Sequence, residues 1–274
     1  MARLNICSLR SGSTGNSILV SDRTTSILVD CGISGRLAEC SLKEIGISPD
    51  NISAIVVTHE HIDHTKGVGI FSRKYSVPIY ANEKTWCAMS DHIGKIDEEK
   101  RRIIKTKEQF IIGDICVDTF ATMHDAAESV GYVFKNSENK ISIATDLGEI
   151  NGEMFDAVSG SSVVLLEANY DLNMLEIGPY PYELKSRIKG CRGHLCNDVA
   201  AETAARLAEM GVKEIVLGHL SKENNHPQIA FQTVKNVLEE HGFLLERDVR
   251  LHVAMRDSTG TECSGLWQKQ KNAV

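Results

Sequence analysis

Thr58-His59-Glu60-His61-Ile62-Asp63-His64 places three imidazoles and two carboxylates within seven consecutive residues. An apolar run of strand composition, Ala54–Val57, precedes it, and a glycine-containing helical pattern follows. In extended chain side chains alternate, so His59 and His61 point the same way and can hold one cation between them. A tight turn after them brings Asp63 and His64 round to face a second position. Histidine nitrogens with a carboxylate suit Zn, Mn or Fe ions. Four potential ligands so close together fit two divalent ions per chain better than one.

A two-ion site needs further ligands, and they are expected at strand ends. His124 follows the apolar run Ile115–Phe120, Asp146 ends Ile141–Thr145, and His219 ends Glu214–Leu217. Each alone reads as an ordinary loop residue; their recurrence at strand ends beside the histidine motif is what marks them. A carboxylate can bridge two cations with its two oxygens, which makes Asp146 the natural bridge.

Short Val- and Ile-rich runs bounded by turn residues recur: Ser17–Val20, Ser26–Asp30, Ala54–Thr58, Ile115–Phe120, Val130–Phe134, Ile141–Thr145, Val163–Leu166 and Glu214–Leu217. They read as strands. Gly35–Ile45, Lys66–Tyr75, Asp198–Met210 and Gln228–Glu240 carry helical periodicity, with Asn197 or Asp198 as the cap of the third and Gly211 as its stop. Lys95–Lys107 reads as a nearly neutral surface helix. Strands dominate the first two thirds and a helix-strand-helix unit is expected to close the chain. The expectation is an α/β fold of mixed sheets covered by helices, in one domain spanning 1–274 with 261–274 as a loosely ordered tail.

The 274 residues, 42% hydrophobic and 24% charged, exclude collagen-like, disordered and mini-protein classes. A formal net charge of -7 removes bulk attraction to nucleic acid or anionic membrane, so a polyanionic substrate must be drawn by local basic patches or by metal ions. No apolar run is long enough to span a bilayer. The opening MARLNICSLRSGSTGNS turns polar at once, which points to a cytoplasmic protein with no membrane partner. None of the eight cysteines has C-x-x-C spacing, and most read as small core hydrophobes. Cys191 and Cys196 lie near each other, but a reducing compartment argues against a disulfide.

Three further groups carry candidate roles. Asp30 ends an Ile-Leu-Val-Asp strand and either accepts the second ring N–H of a ligand histidine or is a plain turn aspartate. Ser13, Gly15 and Asn16 either offer backbone N–H groups to a substrate phosphate or form a simple hairpin turn. Tyr180 and Tyr182 precede Lys185, Arg187, Lys189 and Arg192. Aromatics interleaved with cations suit single-stranded or frayed nucleic acid, and a solvated helical face is the alternative.

His59-x-His61-x-Asp63-His64 with His124, Asp146 and His219 resembles the metallo-β-lactamase fold superfamily. The runs SGSTGNS at 11–17, ILVDCG at 27–32, LEANYD at 166–171, GPYP at 178–181 and GHLSKENN at 218–225 resemble, more narrowly, the YycJ group, also called VicX or WalJ. The resemblance extends to about position 260. It implies an αββα sandwich of two mixed β-sheets flanked by helices, with the metals at one edge. It assigns His59, His61 and His124 to one ion, Asp63, His64 and His219 to the other, and Asp146 to both. The stretch Cys191-Arg192-Gly193-His194 before a helix is similar to a region of tRNase Z, which implies a proton relay in which Glu167 orients His194. Asp63, Glu167 and His194 are then the catalytic side chains.

A pair of divalent ions lowers the pKa of a water between them, and the resulting hydroxide attacks phosphorus or a carbonyl carbon. The expected activity is a metal-dependent phosphodiesterase on nucleic acid, most simply a DNA exonuclease, with His194 protonating the leaving oxygen. The interval from Asp146 to His219 is too short for the domain that β-CASP nucleases insert there, and no Gly- and Pro-rich insertion resembles the tRNase Z arm. A small-molecule hydrolase of the same fold, acting on cyclic phosphodiesters, thioesters or lactones, is the alternative. A regulatory scaffold is a second alternative, against which a full ligand set argues. The oligomeric state is left open.

Overall fold

The computed structural model describes residues 3–260. The expected tail 261–274 and Cys263 lie outside the described residues. The first sheet contains β1 (Asn5–Arg10), β2 (Ser17–Ser21), β3 (Ser26–Val29), β4 (Ala54–Val56), β5 (Ile79–Asn82) and β6 (Arg101–Ile104), in that spatial order. β1 to β3 pair antiparallel, and β3 to β6 pair parallel. The second sheet runs β13 (Arg250–Val253), β12 (Glu214–Gly218), β11 (Val163–Glu167), β10 (Lys140–Ala144), β9 (Val130–Lys135), β8 (Ile115–Ala121), β7 (Phe110–Ile112). Its β10 to β13 half is parallel, and β7 to β10 are antiparallel.

Both faces of each sheet are covered, which is why the strands read as nearly unbroken apolar runs. Ile27 and Val29 of β3 point between the sheets, while Leu28 points outward to the helices. In β11, Val163 and Leu165 face the inter-sheet core and Val164 and Leu166 face outward. Over the first sheet lie α1 (Gly35–Glu44), α2 (Ile62–Thr65), α3 (Val68–Tyr75) and α4 (Glu83–Ile93), burying Ala38, Leu42, Phe71, Trp86 and Met89. Over the second lie α5 (Gly152–Val158), α8 (Asn197–Glu209) and α9 (Pro227–Glu240); α6 (Leu172–Ile177) and α7 (Tyr182–Lys189) lead into α8. The result is the expected αββα layering.

Several local expectations are corrected. Lys95–Lys107 is not a helix: a single 3₁₀ turn at Glu98–Lys100 leads into β6. Pairing with β5, and the Trp86 indole N–H donated to the Arg102 carbonyl at 3.0 Å, outweigh the charge pattern. The helix expected over Lys66–Tyr75 begins two residues later, as α3, and the short α2 ends just before Lys66. Neither Asn197 nor Asp198 caps α8; Cys196 stands at the cap, and the Asn197 amide pairs with Asn225 instead. A strand, β13, follows α9, so among the described residues the last element is a strand and not the helix of the expected helix-strand-helix unit. Of the seven described cysteines only Cys7 and Cys31 are buried, and Cys191 and Cys196 are both free thiols.

Among the described residues no helix is long and apolar enough to cross a membrane.

Candidate metal centre

The candidate residues converge at the C-terminal ends of β3, β4, β8, β10, β11 and β12, along one edge of the sandwich. The histidine loop leaves β4 and is tied to the opposite sheet: Val130 N–H donates to the Thr58 carbonyl at 3.1 Å, and the buried Tyr132 hydroxyl donates to the Val57 carbonyl at 2.8 Å. Six described non-glycine residues have positive φ, and Asp30, Asp146 and His219 are three of them. Each ends or follows a strand, and the left-handed turn swings its side chain across the edge. Such backbone costs about 1–3 kcal/mol per residue and collects at functional sites.

Four clusters of potential ligand atoms form here: His59, His61 and His124; Asp63, His64 and His219; His59, His64 and Asp146; and Asp146, Glu167, His194 and His219. Asp146 Oδ1 is 3.6 Å from Nε2 of both His124 and His219, and its Oδ2 is 3.4 Å from His64 Nε2. Asp63 Oδ2 is 3.5 Å from Nε2 of His64 and of His219. Two ligand atoms each about 2.1 Å from a tetrahedral ion stand about 3.4 Å apart, so these spacings suit shared cations.

The hydrogen bonds fix which ring nitrogen is free. The Thr58 hydroxyl donates to Asp30 Oδ2 at 2.8 Å, so its lone pair receives His59 Nδ1–H at 3.0 Å. His64 Nδ1–H donates to Asp30 Oδ2 at 2.7 Å, His124 Nδ1–H to the Gly193 carbonyl at 3.0 Å, and His219 Nδ1–H to Glu167 Oε1 at 3.0 Å. All four rings therefore turn Nε2 inward. His59 Nε2, His219 Nε2 and Asp146 Oδ2 are buried without a hydrogen-bond partner among the described residues. Buried polar atoms left unpaired are costly, and a cation is what this donor set fits.

The charges are unequal. Burial pushes His59 well below its ordinary pKa, and the neighbouring His64 adds to the effect. Burial also opposes charge on His64, but Asp146, Asp30 and Asp63 outweigh it and hold its pKa at about 9. His219 is raised too, with Asp146 and Glu167 overcoming its burial. Asp146 lies well below the carboxylate range, since the four surrounding histidines offset the cost of burying it. Metal entry must therefore displace protons.

Glu167 is fully buried at the end of β11. Burial opposes its charge, but His194 and His219 keep it ionised. Its Oε1 is 2.7 Å from His194 Nδ1, and its Oε2 accepts Leu147 N–H at 2.6 Å. Asn16 is buried: its Oδ1 accepts Gly12 N–H, and its Nδ2 lies 3.4 Å from Asp63 Oδ2 and 3.1 Å from His64 Nε2. Asn16 thus touches the histidine loop directly. Ser13 is exposed and lines a cavity of about 190 Å³ with Tyr180, Arg187, His194 and Ser221.

The basic stretch forms α7, with Tyr182 78% exposed. Its cations have partners: Lys185 donates to the Glu176 carbonyl at 2.7 Å, Lys189 pairs with Glu176, and Arg187 pairs with Asp125. Arg192 donates to the His124 carbonyl through Nε at 3.0 Å and Nη2 at 2.9 Å.

Two residues escaped the sequence reading. Asp125 Oδ1 lies 3.4 Å from His124 Nε2 and 4.0 Å from His61 Nε2. The Asn169 amide donates to the His219 carbonyl at 2.8 Å. The adjacency His124-Asp125 was the available signal for the first. Asn169 has only its place two residues after Glu167.

Residues 10–219 match the Metallo-beta-lactamase superfamily. The chain is 40% identical over 249 residues to "Exodeoxyribonuclease YycJ" of Bacillus anthracis, covering 91% of this chain and 94% of that protein. It is 40% identical over 234 residues to "Exodeoxyribonuclease WalJ" of Streptococcus pneumoniae, covering 85% and 87%. The crystal structure of the short form of human tRNase Z superposes with a TM-score of 0.62 at 17% identity, covering 93% of this chain and 98% of that one, a likeness of fold. The chain belongs to the metallo-β-lactamase superfamily and, within it, to the group of YycJ and WalJ.

Proposed function

We propose that the chain is a divalent-metal-dependent phosphodiesterase that removes nucleotides from DNA ends. The observation that carries the reading is the set of inward-facing Nε2 atoms around Asp146, with His194 and Glu167 directly beside it. His59, His61 and His124 would hold one ion, Asp63, His64 and His219 a second, and Asp146 both, with Zn or Mn suited and Fe compatible. Bound cations of this kind lower the pKa of water and offset negative charge on phosphoryl oxygens.

The chain's own residues do the rest. As water oxygen bonds to phosphorus and the ester P–O bond breaks, the leaving oxygen takes the electron pair and needs a proton. His194 supplies it from Nε2, while ionised Glu167 holds Nδ1–H and balances the imidazolium. Asn16 steadies Asp63 and His64. Ser13 and the α7 residues Tyr182, Lys185, Arg187 and Lys189 form the face along which the strand lies, stacking on the tyrosine and approaching the cations. The exodeoxyribonuclease names of the YycJ and WalJ relatives support DNA as the polymer.

The test is incubation of metal-loaded protein with end-labelled DNA and RNA, with product lengths resolved. Stepwise shortening of DNA that a chelator abolishes is expected. Intact DNA under every metal tried would overturn the proposal.

A further inference from the structure

Arg192 stands in a sequence of cations and invites a phosphate-binding role, but its guanidinium is already engaged. Nε and Nη2 both donate to the His124 carbonyl, and Nη2 also reaches the Ala126 carbonyl at 3.4 Å. The next residue, Gly193, accepts Nδ1–H of the same His124. One residue further stands His194. Two bonds from Arg192 and one into Gly193 thus join the loop of a candidate ligand to the loop of the candidate proton donor. Arg187 adds a further tie, to Asp125. Gly193 is packed so closely that a Cβ there would lie 2.1 Å from the Ile188 carbonyl oxygen.

We propose that Arg192 is a positioning residue, which sets His194 against the metal centre by clamping residues 191–194 onto the His124 carbonyl. This rests on the proton-donor reading of His194. The fork geometry makes the proposal specific: two N–H groups in one plane grip one carbonyl, which a point charge cannot do. When the clamp is lost, residues 191–194 shift and His194 swings off line. A displacement of about 1 Å at a reacting group costs about 10²-fold in rate.

The experiment compares Arg192→Lys, Arg192→Ala and His194→Ala on DNA and on bis-p-nitrophenyl phosphate, whose leaving group needs no proton. DNA affinity and its salt dependence are read by fluorescence anisotropy under conditions without turnover. Arg192→Lys should behave like Arg192→Ala: a fall of about 10²-fold in kcat on DNA, a much smaller fall on the activated diester, and unchanged DNA affinity and salt slope. Added guanidinium should restore part of the Arg192→Ala loss. If Arg192→Lys turns over like the parent, or if Arg192→Ala weakens DNA binding and lowers the salt slope by about one while kcat holds, Arg192 is a phosphate contact and the inference falls. His194→Ala separates the two levels. Equal losses on both substrates would remove the proton donor itself, and with it this role. Discrimination by His194→Ala without discrimination by Arg192→Lys would overturn the positioning role alone.

Discussion

The one hydroxyl hydrogen of Thr58 and the carboxylate of Asp30 together settle two imidazoles. Given to Asp30, it leaves the lone pair for His59, while Asp30 takes Nδ1–H of His64. Asp30→Asn would keep the shape and lose the charge, and metal affinity should fall by about 10–100-fold in a chelator competition. Unchanged affinity would show that the ring orientation has another source. The same carboxylates predict a pH effect on the metal-free protein. His64 rises from 6.5 unfolded to about 9 folded, so the stabilisation it gives is fully present below pH 6.5 and is lost as pH climbs through about 9. Urea midpoints of metal-free protein should decline across that window; a flat profile would contradict it. At this scale the candidate positions that gather at one edge were legible because residue type and strand end coincide. Asp125 and Asn169 were not, because their contacts depend on how separate loops meet.

Elements carry the constraint that brings these loops within reach. Gly32 follows β3, and a Cβ there would lie 1.6 Å from the Asp63 carbonyl oxygen. Gly32→Ala should therefore cost about 3 kcal/mol or more by pushing the ligand loop outward, read as a lowered urea midpoint. A midpoint equal to the parent's would mean that the loop yields freely. The α7 cations make a different case, since Lys185 and Lys189 already meet Glu176. The Lys185 hydrogen bond to the Glu176 carbonyl and the Lys189 ion pair are exposed contacts, weak and readily exchanged for phosphate. Reversing both lysines to Glu should weaken DNA binding and reduce the salt slope by about two. An unchanged slope would take this helix off the substrate path. Strands flanking the site were readable because β3, β4, β11 and β12 are buried on both faces and β8 alternates between buried and half-buried positions. β6 was misread since its charges mimic a surface helix, and only pairing with β5 reveals it.

At the scale of the molecule, two sheets packed face to face bring residues as far apart as Asp30 and His219 to one edge. The layering was legible from the apolar runs and from the family resemblance; β1, β5, β7 and β13 were not picked out, because mixed or very short strands leave little periodicity. The proposed chemistry requires this edge to hold a pair of divalent ions. Equilibrium dialysis against Mn(II) or Zn(II), with metal and protein both quantified, tests it most directly. Two ions per chain are expected, falling to one or none in His64→Ala. A parent chain that retains fewer than two ions at saturating metal would contradict the account.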